Sequence, residues 1–107
     1  MPQGRWKIDT WLLYGAANRF VSMECQHIAR AGNPAPNTPA GCEECLKSGD
    51  TWVHLRLCLE CGHVGCCDSS KNKHATKHFH AVKHPVIRSF QPGESWRWCY
   101  VDEAFVE

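Results

Sequence analysis

"HATKHFHAVKH", residues 74–84, places four of the chain's seven histidines within eleven positions. The same chain carries eight cysteines, six of them between Cys42 and Cys67. Imidazole and thiolate are the donors that zinc takes in tetrahedral sites, so the stretch is read first for which imidazoles can reach a metal. His74 and His78 are one helical turn apart and project from one face. His80 lies roughly 200° around the helix from His78, near Lys73 and Lys77, and reads as a solvent-facing bystander. His84 precedes Pro85, and a residue before proline is driven out of the helical region. The chain therefore turns back at His84, which can reach a metal that a continuing helix would deny it.

The thiolates come in two turns, Cys42-Glu43-Glu44-Cys45 and Cys58-Leu59-Glu60-Cys61, with twelve residues between them. A Cys-x-x-Cys turn supplies two thiolates to one ion. Taken together, the turns would make a single four-cysteine ribbon, which strands Cys66 and the histidines. Taken separately, each turn joins two downstream residues, giving two interleaved sites. Cys67 is an extra, read as a small buried or free thiol, and His54 and His63 are assigned to strand packing or a turn hydrogen bond. A secreted disulfide scaffold would want an export signal, but the apolar run from Trp11 to Ala17 is broken by Asn18 and Arg19. Cysteines and histidines interleaved at two-residue gaps favour zinc over disulfides, and a reducing cytoplasm follows from that.

At 107 residues the chain has room for one small domain. Its net charge of +1 gives no polyelectrolyte character that would argue for nucleic acid or a membrane, and no segment approaches a bilayer-spanning length. Residues 1–22 carry no metal-type side chain and are read as a flexible extension before a domain over 23–107. A short amphipathic helix carrying Trp11, Leu12 and Tyr14 is the other reading of that segment. "RAGNPAPNTPAG", 30–41, is a loop. "TWVHLRLC" alternates as a half-buried strand, with Val53, Leu55 and Leu57 on one side and Trp52, His54 and Arg56 on the other. "DSSKNKHATKHFHAVK" reads as a helix capped by Asp68, Ser69 or Ser70, with Ala75, Phe79 and Val82 toward the core. "VIRSF" and "SWRWCYV" are further strands about a turn at Pro92-Gly93. Two or three strands and one helix bury too little to stand alone, so metal cross-links must supply the rest. The expected fold is a small α+β zinc-stabilised domain, a short antiparallel sheet with one main helix.

"CEEC", "WVHLRLCLECGHVGC", "NKHATKH", "HPVIRSF" and "WCYVDE" together resemble the ubiquitin-specific-protease-type (UBP-type) zinc finger, over roughly residues 24–103. The resemblance implies an interleaved ligand pattern. Cys42, Cys45, Cys66 and His74 would share one zinc, and Cys58, Cys61, His78 and His84 a second. Three-zinc members add a Cys-x-His pair, matched by Cys25 and His27, and a late Cys-x-x-Cys of which this chain has Cys99 but Asp102 in the second place. A carboxylate oxygen is an acceptable zinc ligand, so Cys25, His27, Cys99 and Asp102 make a third candidate site. Its plain alternative is two buried thiols and a surface carboxylate.

The resemblance also implies recognition of a peptide C-terminus, the free Gly-Gly end of ubiquitin, by an aromatic pocket and an arginine. Trp52, Trp98 and Tyr100 are the candidate walls. The family's Cys-Gly-Arg stands here as Cys66-Cys67-Asp68, so an aspartate occupies the gripping position, and Arg56 or Arg97 would have to substitute. Closed four-ligand sites rich in thiolate hold structure, whereas a catalytic zinc keeps a position open for water. The proline-flanked motif of zinc deaminases is missing here, so a non-enzyme is expected. A nucleic-acid module using Lys71, Lys73, Lys77, His80 and Lys83 is the competing reading, set against Glu43, Glu44, Glu60 and Asp68 around the turns. A purely structural zinc domain, or a module for some other acidic or C-terminal peptide, is the third. In each reading the protein works as a monomer with no membrane contact.

Overall fold

The two leucines of the alternating segment decide the sheet. In a computed structural model, which describes residues 25–107, Leu55 and Leu57 are buried on one side of strand β1 (Leu55–Cys58). The chain then turns through the second Cys-x-x-Cys and returns as β2 (Val64–Cys66), pairing Leu55 with Cys66 and Leu57 with Val64. Gly62 makes this reversal possible. Its φ of 83° lies in the left-handed region that glycine enters without penalty, and its N–H donates to the Cys58 carbonyl at 3.0 Å. The remaining strands, β3 (Val86–Ser89), β4 (Arg97–Cys99) and β5 (Ala104–Val106), complete an antiparallel sheet in the order β2-β1-β3-β4-β5. This is the expected α+β architecture with more strands than anticipated. β2 and β5 are three residues each, too short for an alternation pattern to announce them.

Register sorts the side chains onto two faces. Leu55, Leu57, Val64, Cys66, Val86 and Cys99 share one face and form the core with Ile28, Cys42 and Cys45. Ile28 comes from α1 (Gln26–Arg30) and Cys45 from α2 (Glu43–Ser48), two short helices that the sequence reading did not anticipate. The opposite face carries Arg56 beside Gly65 and Ser89, and Ile87 beside Trp98, which in turn pairs with Phe105. The main helix, α3 (His74–Val82), packs on that second face. Its closeness depends on Gly65, where an added Cβ would stand 2.6 Å from the Ala75 backbone nitrogen.

Several expectations are corrected. The helix does not open at Asp68, Ser69 or Ser70; it begins after Lys73, whose φ is 51°. Those earlier side chains have tertiary work: Ser70 Oγ accepts from the Val53 N–H at 2.8 Å, and Asp68 accepts from the Thr76 hydroxyl at 2.6 Å. Val82 and Val53, both assigned to core faces, are exposed at 44% and 53%, because each lies at or beyond the end of its regular element. Trp52 packs against the core beside Gly41, which has no room for a Cβ. The extension over 1–22, with Trp11, Leu12 and Tyr14, lies outside the described residues.

Substituting Gly65→Ala is expected to cost roughly 1–3 kcal/mol, the usual range for overpacking a tight contact, because a helix backbone rather than a flexible side-chain end opposes the new methyl. Gly32→Ala, where the nearest atom would be 3.5 Å away, should be nearly neutral. Denaturant midpoints of the two variants distinguish the cases, and equal midpoints would show that α3 sits on the sheet more loosely than described.

Candidate metal centres and an aromatic cavity

Three groups of four potential donors form, each with ligand atoms within 4.8 Å of one another. In the first, His74 Nδ1 stands 3.3, 3.4 and 3.5 Å from the sulfurs of Cys42, Cys45 and Cys66. These residues come from the N-cap and first turn of α2, from the edge strand β2 and from the first residue of α3. The second group is Cys58, Cys61, His78 and His84, with Cys58 Sγ 3.5 Å from His84 Nδ1 and Cys61 Sγ 3.3 Å from His78 Nε2. His84 reaches it because Lys83 closes the helix at φ 62°. The third group joins α1 to the β4–β5 hairpin through Cys25, His27, Cys99 and Asp102.

The spacing fits zinc. A tetrahedron with Zn–S near 2.3 Å and Zn–N near 2.0 Å separates sulfur from nitrogen by about 3.5 Å, close to the distances in the first two groups. Backbone donors already face several sulfurs, as anchored thiolates require: His74 N–H to Cys66 Sγ at 3.2 Å, Ile28 N–H to Cys25 Sγ at 3.4 Å and Asp102 N–H to Cys99 Sγ at 3.4 Å. In the third group His27 Nδ1 is 3.0 Å from Asp102 Oδ2 and 3.8 Å from Cys25 Sγ. That contact serves equally as a direct histidine–carboxylate hydrogen bond or as two donors turned to one cation. Every cysteine is free of disulfide, and all but Cys67 belong to one of the groups.

These donor spacings decide the family. Residues 42–107 match the family described as "Zn-finger in ubiquitin-hydrolases and other protein". The chain belongs to the UBP-type zinc fingers. A curated relative, the NAD-dependent deacetylase sir2A of Dictyostelium discoideum, is 34% identical over 65 residues, or 61% of this chain and 11% of that protein. The chain thus spans about a tenth of that relative's length. The solution structure of protein RPA1320 from Rhodopseudomonas palustris superposes with a TM-score of 0.74 at 55% identity, covering 81% of this chain and 84% of that one.

Around the UBP-type clusters, His63 is buried and bonds Glu44 at 2.7 and 2.9 Å while stacking on His78 at 4.0 Å. Glu44 belongs to the first cysteine turn and His78 to the second group, so one uncoordinated imidazole braces both. Burial would raise the Glu44 carboxyl, but the His63 hydrogen bond, a backbone hydrogen bond and the nearby His63 and His74 together outweigh it, and the net shift is downward. Burial, with His63 and His84 nearby, lowers His78. His80 is exposed and outside every group. His54 is exposed as well; its backbone carbonyl accepts from the Cys67 N–H. Among the basic candidates of the helix region, Lys71 pairs with Asp50 at 3.1 Å and Lys83 leans over Phe79. No helix among the described residues is long and apolar enough to cross a membrane.

The second face of the UBP-type sheet holds a cavity of about 270 Å³ bounded by Arg56, Asp68, Trp96, Trp98, Tyr100 and Phe105, with Cys67 and Ile87 also lining it. Trp98 and Tyr100 are in it as the sequence reading placed them; Trp52 is not, being packed in the core cluster on the other face. Trp96 and Phe105 were missed. Trp96 shares the parity of Trp98 and was readable, whereas Phe105 enters only through its pairing with Trp98 in β5. Arg97 points instead to a groove shared with Arg88 and Ser95. Cys67 is buried beside Ser70 Oγ at 3.6 Å. Tyr100 stacks on Phe79 at 4.6 Å and lies 3.3 Å from the Thr76 hydroxyl. Burial raises its phenol, Thr76 opposes that, and Asp68 and Arg56 act on it with opposite signs.

As bare thiols, Cys42 is pushed up to about 12 and Cys25 to about 11, in both cases chiefly by burial. Both groups thus carry their protons at neutral pH, and zinc must expel those protons to bind. Affinity is therefore present at neutral and higher pH and lost as pH falls. For a two-thiol site the expected loss is about a hundredfold per pH unit, steeper for the three-thiol group. Chelator competition at pH 6.5 and 7.5 reads this slope; a flat profile would show that the thiols do not bind the metal as thiolates.

Proposed function

We propose that this UBP-type finger is a non-catalytic module in which three zinc ions hold an aromatic cavity in shape for the C-terminus of a protein or peptide partner. Cys42, Cys45, Cys66 and His74 hold the first ion, and Cys58, Cys61, His78 and His84 the second. Cys25, His27, Cys99 and Asp102 hold the third. Four protein donors on each ion leave no position for a water to be activated. Donors that must stay reduced suit a reducing compartment, the cytoplasm. Elemental analysis should return three zinc ions per chain, and Asp102→Ala should lower the count to two. His74→Ala should abolish the folded near-UV signal of Trp96 and Trp98, while His80→Ala leaves it intact. A count of one would favour a single ribbon instead.

The observation that carries the binding reading is Arg56. Its guanidinium lies over Trp96, 4.5 Å from the ring centroid, in the same cavity as Trp98 and Tyr100. A planar cation held against an aromatic wall is suited to bidentate capture of a carboxylate. Arg56 therefore takes the role that Asp68 cannot. Because Asp68 repels an incoming carboxylate, binding to the Gly-Gly end of ubiquitin should be weak but dependent on the free terminus. Titration with ubiquitin, with ubiquitin lacking its last two glycines, and with amidated and free Gly-Gly peptides tests this. Arg56→Met, which keeps the stem over Trp96, should weaken free-carboxylate binding roughly 10- to 100-fold, and Asp68→Arg should strengthen it. Equal binding of amidated and free termini would sink the reading.

A further inference from the structure

The cavity holds one charge of each sign, and both are placed. Arg56 lies over Trp96, which leans on Phe105 at 5.5 Å between ring centroids. Asp68 is fixed by a bond of its own: the Thr76 hydroxyl donates to its Oδ1 at 2.6 Å, and Thr76 lies 3.3 Å from the Tyr100 hydroxyl. The ion pairs among the described residues are His27–Asp102, His63–Glu44 and Lys71–Asp50, so Arg56 and Asp68 form no direct ion pair. The same aromatic row is thus faced by a cation held against Trp96 and by an anion held, through Thr76, beside the Tyr100 hydroxyl.

Resting on the reading that Arg56 receives a terminal carboxylate, we propose that Asp68 makes the cavity selective for a peptide whose last or penultimate residue is lysine or arginine. A ligand seated by its carboxylate at Arg56 runs along Trp98 toward Tyr100, and whatever it presents there meets an anchored carboxylate beside π faces. That combination attracts ammonium or guanidinium twice, through the ion pair and through the ring quadrupoles. It repels an acidic side chain and gives nothing to a glycine. Asp68 is thus a specificity-determining residue. The aspartate that weakens one class of C-terminus selects another.

The test uses the full zinc-loaded chain and fluorescein-labelled hexapeptides ending in Gly-Gly, Gly-Lys or Gly-Glu, each as free acid and as amide, read by fluorescence anisotropy. The free Gly-Lys peptide should bind about fivefold tighter than Gly-Gly, the scale of an exposed ion pair at a rim, with Gly-Glu weakest. Asp68→Asn still accepts the Thr76 hydrogen bond, so the cavity keeps its shape; the lysine preference should vanish while dependence on the free carboxylate stays. Asp68→Arg should invert the order and favour Gly-Glu. Carboxylate-dependent binding with no preference among the three tails, in the native chain, would overturn the role of Asp68 and leave the C-terminus reading standing. Equal binding of acids and amides would remove that underlying reading itself. A lysine preference that survives in Asp68→Asn would also overturn the assignment, since its source would lie elsewhere in the cavity.

Discussion

The elements around the first group of donors meet at His74. Its Nδ1 lies within 3.5 Å of three thiol sulfurs drawn from α2 and from β2. It therefore forces the start of α3 to the edge of the sheet where those elements meet. A helix of nine residues is too short to hold its place through propensity alone, and its only buried residue is Ala75. A ligand cluster at each end stands in for the apolar face that the helix does not have. His74 ties its first turn to the core face, while His78 and His84 tie its last turn to the end of β1.

The cross-bracing is what lends the cavity its shape. α3 supplies Phe79, which stacks on Tyr100, and Thr76, which orients both Asp68 and the Tyr100 hydroxyl. Thr76 lies between His74 and His78 and Phe79 directly follows His78, so metal occupancy and the geometry of the binding wall are mechanically linked. His63 adds a second link by bonding Glu44 of one cysteine turn and stacking on His78 of the other group. The other face carries a separate fastening. There Cys25 and His27 reach Cys99 and Asp102 and draw α1 onto the β4–β5 hairpin. The outermost strand on that side, with Phe105 on it, is thereby held against the sheet.

The motifs of this chain were legible because metal ligation is a local spacing code. Two Cys-x-x-Cys turns, a cysteine five residues on, and histidines at 74, 78 and 84 can be arranged in few ways, and Pro85 places the last of them off the helix. Membership in the UBP-type family and the α+β class followed from those residues. So did the exposure of His80, from its angle on the helix alone. The helix start was misjudged because Asp68 and Ser70 look like caps but form hydrogen bonds with residues distant in sequence. Val53 and Val82 were misplaced because periodicity does not report where an element ends.

What only the tertiary structure decided is the content of the cavity. Trp52 follows the same alternation as Arg56, yet it lies before β1 and turns to the core beside Gly41. Phe105 joins the cavity because β5 pairs with β4 in a register that sets it beside Trp98. Arg56 rather than Arg97 faces the aromatics because antiparallel pairing through Ser89 and Gly65 places it on the same face as Ile87 and Trp98. The pattern of cysteines and histidines is written in spacing along one chain, and the sequence reading named the same three groups of donors that the fold brings together. Which charges share a cavity depends on the register between strands far apart in sequence, and no local pattern contains that.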